Sequence, residues 1–318
     1  DGTLALGGNM TLAGTLNFTD SNSTLDGGNI DLNGGTLEVD QDINLKSNLL
    51  QSADSKIVAV EGTTINYTGN EFNVGSHTLS LSGGGSFTNT NPLVLDNAES
   101  KLLLSSITID SVSTAVDNSL GVEVENDSTI TSLSLPQKLR LSVASAKTLR
   151  ITDPLIIPTS GMELAGSGKL ELSDNLTMNG DISLTSGSLT VDATGLVLNL
   201  GGNLNLSGGT LLTDNSTYIH LLSDSILTTD AEQLIANVTI EDNTELMLTM
   251  GSDTTILKVV ELVSVGISCP QSLPVKPKGQ INLSAGVQIN EGGEFCIDGW
   301  LEGDIVMNGG TLRIDADT

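Results

Sequence analysis

The stretch Gly27-Gly28-Asn29-Ile30-Asp31-Leu32-Asn33-Gly34-Gly35-Thr36-Leu37-Glu38-Val39 constrains the fold more than any other, because the chain keeps returning to it. It recurs as GGNMTLAGTLNF from Gly7, as GGNLNLSGGTLL from Gly201 and as DIVMNGGTLRI from Asp304, with a degenerate copy, SDNLTMNGDISLTSGSLTV, from Ser173. Each unit is an apolar-polar-apolar triplet, a corner of Gly, Asn, Ser or Asp, and a second triplet. Alternation over three residues makes a strand with one buried face, and a Gly-Gly or Asn-Gly corner turns the chain sharply. Self-similarity at a short fixed period is the signature of a solenoid. The expectation is an all-β, parallel β-helix (β-solenoid), right-handed.

The triplets give the period. Met10–Leu12, Leu16–Phe18, Leu25, Ile30–Leu32, Leu37–Val39 and Ile43–Leu45 align as three short strands per rung, Met10 to Ile30 being 20 residues, Leu16 to Leu37 21, and Leu25 to Ile43 18. A rung of about 20 residues divides the chain into roughly 16 rungs. At about 4.8 Å between neighbouring strands the expectation is a single continuous solenoid over residues 1–318, about 75 Å long. Its inner ladder would include Leu12, Leu32, Val39, Leu206 and Leu312, and stability would accumulate rung by rung.

Acidity narrows the partners. There are 39 Asp and Glu against 12 Lys and Arg, a net charge of −27. Such a surface repels nucleic acid and anionic lipid, and it keeps an elongated molecule soluble. The longest apolar stretch, Ile256 to Ile267, is broken by Lys258 and Glu261 and is too short for a membrane span. Calcium is the one cofactor worth weighing. Glu123, Glu125 and Asp127 alternate along one strand, and Glu291, Glu294, Asp298, Glu302 and Asp304 crowd a later stretch. Calcium needs several oxygens converging on one point, and the glycine-aspartate nonapeptide of calcium-binding β-rolls is absent.

The two cysteines, Cys269 and Cys296, flank a loop insertion, residues 270–279, that holds three of the seven prolines. Proline cannot donate to a central ladder, so this segment loops out, and without it the spacing falls to about one rung of 20 residues. The cysteines then stack on adjacent rungs as a disulfide, or remain two buried thiols. A disulfide implies an oxidising, extracytoplasmic compartment.

Residues 51–165 read as looser, with fewer corner glycines and with Pro92, Pro136, Pro154 and Pro158. Lys138, Arg140, Lys147 and Arg150 alternate with apolar residues there and are expected on one outward face. Thr229-Asp230-Ala231-Glu232 has capping-box spacing before QLIAN, and starts a helical turn or is a loop between rungs. A search for chemistry returns negatives. No histidine lies beside a carboxylate motif, Gly75-Ser76-His77 is no nucleophile elbow, and Gly83-Gly84-Gly85-Ser86 is a corner rather than a phosphate loop. His77 and His220 read as structural or exposed rather than catalytic. Trp300, Tyr67, Tyr218 and four Phe are too scattered for a sugar-stacking platform. Ten Asn-X-Ser/Thr sequons, among them Asn9, Asn66, Asn126, Asn205 and Asn282, fit inward-stacked Asn or Thr ladders at the corners.

Through Gly34-Gly35-Thr36-Leu37, Gly208-Gly209-Thr210-Leu211 and Gly309-Gly310-Thr311-Leu312 the chain resembles bacterial surface β-helix proteins, the autotransporter passenger domains and filamentous haemagglutinin-like exoproteins. The resemblance implies secretion to the cell surface and a role as adhesin, stalk or fibre with host-surface or matrix glycans as partners. No catalytic residue carries over, because such families share architecture rather than a site. The chain opens and closes inside the repeat with no cap, so its terminal rungs are expected to stack end to end on more β-solenoid, of the same polypeptide or a second copy. Two rivals remain. A carbohydrate-active enzyme needs converging carboxylates. An ice-binding solenoid needs a flat array of Thr-X-Thr on successive rungs, which Thr63-Thr64 and Thr254-Thr255 do not make.

Overall fold

The computed structural model describes residues 2–187, 189–214, 216–223 and 225–229, and beyond these only the backbone of individual strands. Side chains are described to residue 228, apart from 185–188, 215 and 224. Among the described residues the fold is all-β without a helix, a parallel β-solenoid of about 10 turns with about three strands per turn, stacked about 21 residues apart. It divides into two compact units, Asp1–Leu155 with Gly168–Leu170, and Ile156–Ser167 with Glu171–Thr318.

In the first unit one ladder runs Thr3–Ala5, Ser23–Asp26, Ile43–Leu45, Thr64–Tyr67, Ser86–Asn89, Thr108–Thr114, Ser128–Ser134 and Thr148–Ile151. It is called the first ladder below. A second ladder runs Thr15–Phe18, Thr36–Val39, Ser55–Ala59, Thr78–Ser82, Lys101–Ser105, Asn118–Asn126 and Leu139–Val143. A third begins Met10–Thr11, Asn29–Asp31 and Asn48–Leu50. Alternate residues point inward, which is why the triplets fold this way: Leu25, Ile30, Leu32, Leu37 and Val39 are all fully buried. Leu12 and Leu206 are buried as expected, while the side chain of Leu312 lies outside the described residues.

Met10 pairs with Ile30 and Leu16 with Leu37, as the spacing requires. The third assignment needs correction: Leu25 pairs with Leu45, and Ile43 sits opposite Ser23. A two-residue displacement preserves the inward face, so hydrophobic alternation alone does not reveal it. Corners use left-handed backbone where the sequence permits it, as at Asn33 (φ 37°) and Gly34 (φ 80°). Gly83 and Gly84, both at positive φ, form the expected corner between Thr78–Ser82 and Ser86–Asn89.

The stretch that reads as loose contains the longest strands. Thr108–Thr114 pairs with both Ser86–Asn89 and Leu93–Leu95, so one continuous strand spans what the preceding turn divides in two. Its missing glycines mark a lost corner, not lost order. Pro92, Pro136, Pro154 and Pro158 all lie between strands, where no ladder donor is needed.

In the second unit the described ladders include Met162–Gly166, Ile182–Gly187, Leu204–Asn205, Ser225–Thr229 and Leu246–Met250, and a second from Leu176–Met178 through Val197–Leu200, Tyr218–Leu221 and Asn237–Ile240. Of the stretch Thr229–Glu232, weighed as a helical turn or a loop, only Thr229 is described, and it ends a strand. Residues 230–232, the insertion at 270–278 and Cys269 lie outside the described residues. Gly279 already begins a strand, and the backbone of Cys296 pairs with that of Arg313.

Candidate functional site

Among the described residues the interior is mostly apolar, so most polar groups stand on the outward residues of the ladders and at the corners. At the corners, an Asp or Asn of one turn accepts a backbone N–H of a neighbouring turn. Asp42 receives Thr64 N–H at 2.8 Å, Asp54 that of Thr78 at 2.7 Å, Asp117 that of Lys138 at 3.0 Å, Asp127 that of Thr148 at 2.7 Å and Asp181 that of Asn203 at 2.8 Å. These carboxylates satisfy donors at strand entries, much as a cap does at a helix end. These five aspartates therefore do structural duty.

The calcium candidates separate accordingly. Asp127 is committed to Thr148 N–H. Glu123, on the outward face of Asn118–Asn126, pairs with Lys101 at 2.5 Å. Glu125 stands at a β-bulge: Leu104 pairs with Val124 and Ser105 with Asn126, leaving Glu125 unpaired between them. Bulges re-aim side chains, and Glu125 overhangs a groove of about 190 Å³ lined by Lys56, Ser80, Leu81, Ser82, Leu103 and Ser105. Among the described residues no group of three or more His, Cys, Asp or Glu gathers as metal ligands. The second acidic cluster, Glu291 to Asp304, lies where side chains are not described.

The basic cluster does not share one face, as alternation alone would have it. Arg140 projects from the second ladder and Arg150 from the first, while Lys138 and Lys147 sit outside the strands. His77 Nδ1 lies 3.9 Å from Asp54 Oδ1, across one turn, a neighbour that stacking supplies and local sequence does not show. His220 projects outward beside Asn199 and Thr239.

Tyr67 is fully buried and stacks on Phe87 with ring centroids 5.8 Å apart. Burial pushes its phenol pKa up, against a smaller opposing pull from Leu49 N–H. It is core, and Tyr218, nearly half exposed, stands on another unit. The asparagine ladders exist but stack outward rather than inward. Asn48 Nδ2 donates to Asn29 Oδ1 at 3.0 Å and Asn29 Nδ2 to Asn9 Oδ1 at 3.1 Å, and Asn66 stacks likewise on Asn44 at 3.0 Å.

One surface escapes sequence reading altogether. On the first ladder, pairing sets Thr64 beside Ser86 and Ser86 beside Thr108, with Thr108 beside Thr129. Beyond Thr129 the same column continues to Arg150, and two residues along from Thr64 and Ser86, Asn66 pairs with Thr88; past Phe87 the Asn89 side-chain amide bridges to the Ser111 backbone instead. The buried Ile65, Phe87, Ile109 and Ile130 run beside the first column and lock it. The signal was Thr/Ser-apolar-polar at a spacing of 21 or 22 residues, which adjacent threonine pairs do not reveal.

No protein family matches this chain, and neither the curated proteins nor the solved structures contain a match.

Proposed function

We propose that this protein is a structural or adhesive β-solenoid of the cell exterior, lengthened by stacking rung on rung. The observation that carries the reading is the parallel stacking of turns about 21 residues apart over a continuous apolar interior, in which Leu25, Ile30, Leu37 and Val39 are fully buried. Each turn rests mainly on its neighbours, so a molecule of this kind lengthens by adding turns of the same kind, within one polypeptide or head to tail between copies. Acidic outward residues oppose sideways aggregation, and adhesion to host-surface or matrix glycans would be carried by outward columns.

Sedimentation of the purified 318-residue chain over a range of concentrations tests the reading. Association that grows with concentration is the expected result. A single monomeric species at every concentration would overturn it.

A further inference from the structure

The β-bulge in Asn118–Asn126 puts a carboxylate where the repeat would not. Leu104 pairs with Val124 and Ser105 with Asn126, so Glu125 is the extra residue, outside the ladder and exposed on the outward face. It lines the groove of about 190 Å³ on the second ladder. Lys56 lines the same groove three strands earlier: Lys56 pairs with Ser80, Ser80 with Leu103, and Leu103 with Glu123 of the bulged strand. At about 4.8 Å per strand the two backbones stand about 14 Å apart. Ser80, Ser82, Leu103 and Ser105 fill the interval. Ser105 accepts the Asn126 side-chain amide at 2.8 Å, whereas the Ser80 and Ser82 hydroxyls make no hydrogen bond among the described residues.

The groove therefore has a cation at one end, an anion at the other and free hydroxyls between. Neighbouring charges do not cancel the two ends. Glu123 is held by Lys101 at 2.5 Å, and among the described residues neither Lys56 nor Glu125 has an ion-pair partner within 4.0 Å. Glu38, opposite Val58 on the preceding strand, does not line the groove. In a chain of net charge −27 a free anion is repelled before it reaches Lys56, and a free cation is drawn to carboxylates over the whole surface. A ligand with no net charge but with one cationic and one anionic end is indifferent to that overall field and responds to the local pair. Length narrows the class. An extended peptide advances about 3.5 Å per residue, so two or three residues span about 7–10 Å, inside the interval with a charged side chain reaching over each end. The volume equals that of about six waters, which such a peptide would displace. We infer that this groove binds zwitterionic di- and tripeptides, the amino end at Glu125 and the carboxyl end at Lys56. Both side chains are exposed, so the binding is weak, with Kd of about 1 mM or above.

The test is titration of the full chain with triglycine at low salt, followed by the nuclear magnetic resonance shifts of the Leu103 methyls. Triglycine is compared with its N-acetyl and C-amide forms, each of which lacks one charged end. Glu125→Gln and Lys56→Gln remove the charges of the groove one at a time. Glu71→Gln and Lys46→Gln make the same changes of net charge at exposed positions outside it. Far-ultraviolet circular dichroism establishes that each variant is folded. Saturable binding is expected, weakened about threefold to tenfold by blocking either end or by either groove variant, and unchanged in the other two variants. Glu125→Gln should also abolish the difference between triglycine and its N-acetyl form, and Lys56→Gln the difference from the C-amide. Absence of saturation at tens of millimolar overturns the inference. So do blocked peptides that bind as well as triglycine, and so does equal weakening in all four variants, which would assign the effect to net charge alone.

Discussion

Two ladders of the first unit share one period and one aliphatic interior, yet they present different chemistries to solvent. The first shows hydroxyls and amides in register before it reaches Arg150, and the second shows lysines, glutamates, a bulge and a groove. Inward residues of the same kind lie under both: Leu102 and Leu104 under the second ladder, Ile109 and Ile130 under the first, all fully buried. Packing fixes only those. Outward residues of a strand meet mainly their cross-strand neighbours, so each column can be rewritten without disturbing the core. A solenoid of this kind separates stability from surface chemistry within three consecutive residues.

The comparison breaks first if the cores differ. Leu102→Ala and Ile109→Ala should each cost about 2–5 kcal/mol, measured by denaturant unfolding. A value near zero for either would mean that its ladder does not rest on a close-packed interior. A smaller effect separates strained corners from open ones. Gly121 has φ of 66° and a Cβ there would run into the Arg140 carbonyl, whereas Gly62, at φ 79°, has open space. Gly62→Ala should cost about 1–2 kcal/mol for left-handed backbone alone, and Gly121→Ala more. Equal costs would contradict the close approach of those strands.

The outward ion pair should matter little. Lys101 and Glu123 are partly exposed, their side chains 29% and 42% accessible. A double-mutant cycle is expected to give about 0.2–1 kcal/mol, falling as salt is added. A larger, salt-insensitive coupling would mean that the outward face of the second ladder also bears load.

The smallest effect distinguishes two aspartates by sign. Burial pushes the Asp110 carboxyl above its usual 3.8, against a weaker pull from the Asn89 backbone. Asp110 therefore subtracts stability as pH rises from 3.8 through its folded value. The Ser216 hydroxyl leads the contacts that hold Asp214 below 3.8, with Gly195 and Thr217 assisting. Its contribution is present above 3.8 and is lost as pH falls through the lowered folded value. Asp110→Asn should raise the melting temperature at pH 7 and Asp214→Asn lower it. Both differences should vanish in sufficiently acid solution, and the same sign for both at pH 7 would refute the assignment.

The sequence makes the class of fold plain, since triplets and glycine corners obey rules within a few residues. It leaves the fine register of Leu25 and Leu45 open, because a shift of two preserves the pattern. It misjudges residues 51–165, where missing glycines turn a corner into continuous strand. The surface was hidden for a different reason. The Asp54–His77 approach and the Thr64–Ser86–Thr108–Thr129 column join residues about 21 apart, so they emerge only once the turns are stacked in register.

That register is the claim on which both faces depend, and cross-linking tests it most directly. In a Cys269→Ser/Cys296→Ser background, the pair Asn66→Cys/Thr88→Cys places two cysteines opposite each other on adjacent strands. Their separation of about 4.8 Å lies within the reach of a disulfide. Rapid, near-complete oxidation of that pair, with little in Asn66→Cys/Asn89→Cys, is the expected result. Preferential bonding of Asn66→Cys with Asn89→Cys would mean a one-residue slip that turns Thr88 inward, and would contradict the stacking from which the two surfaces are built.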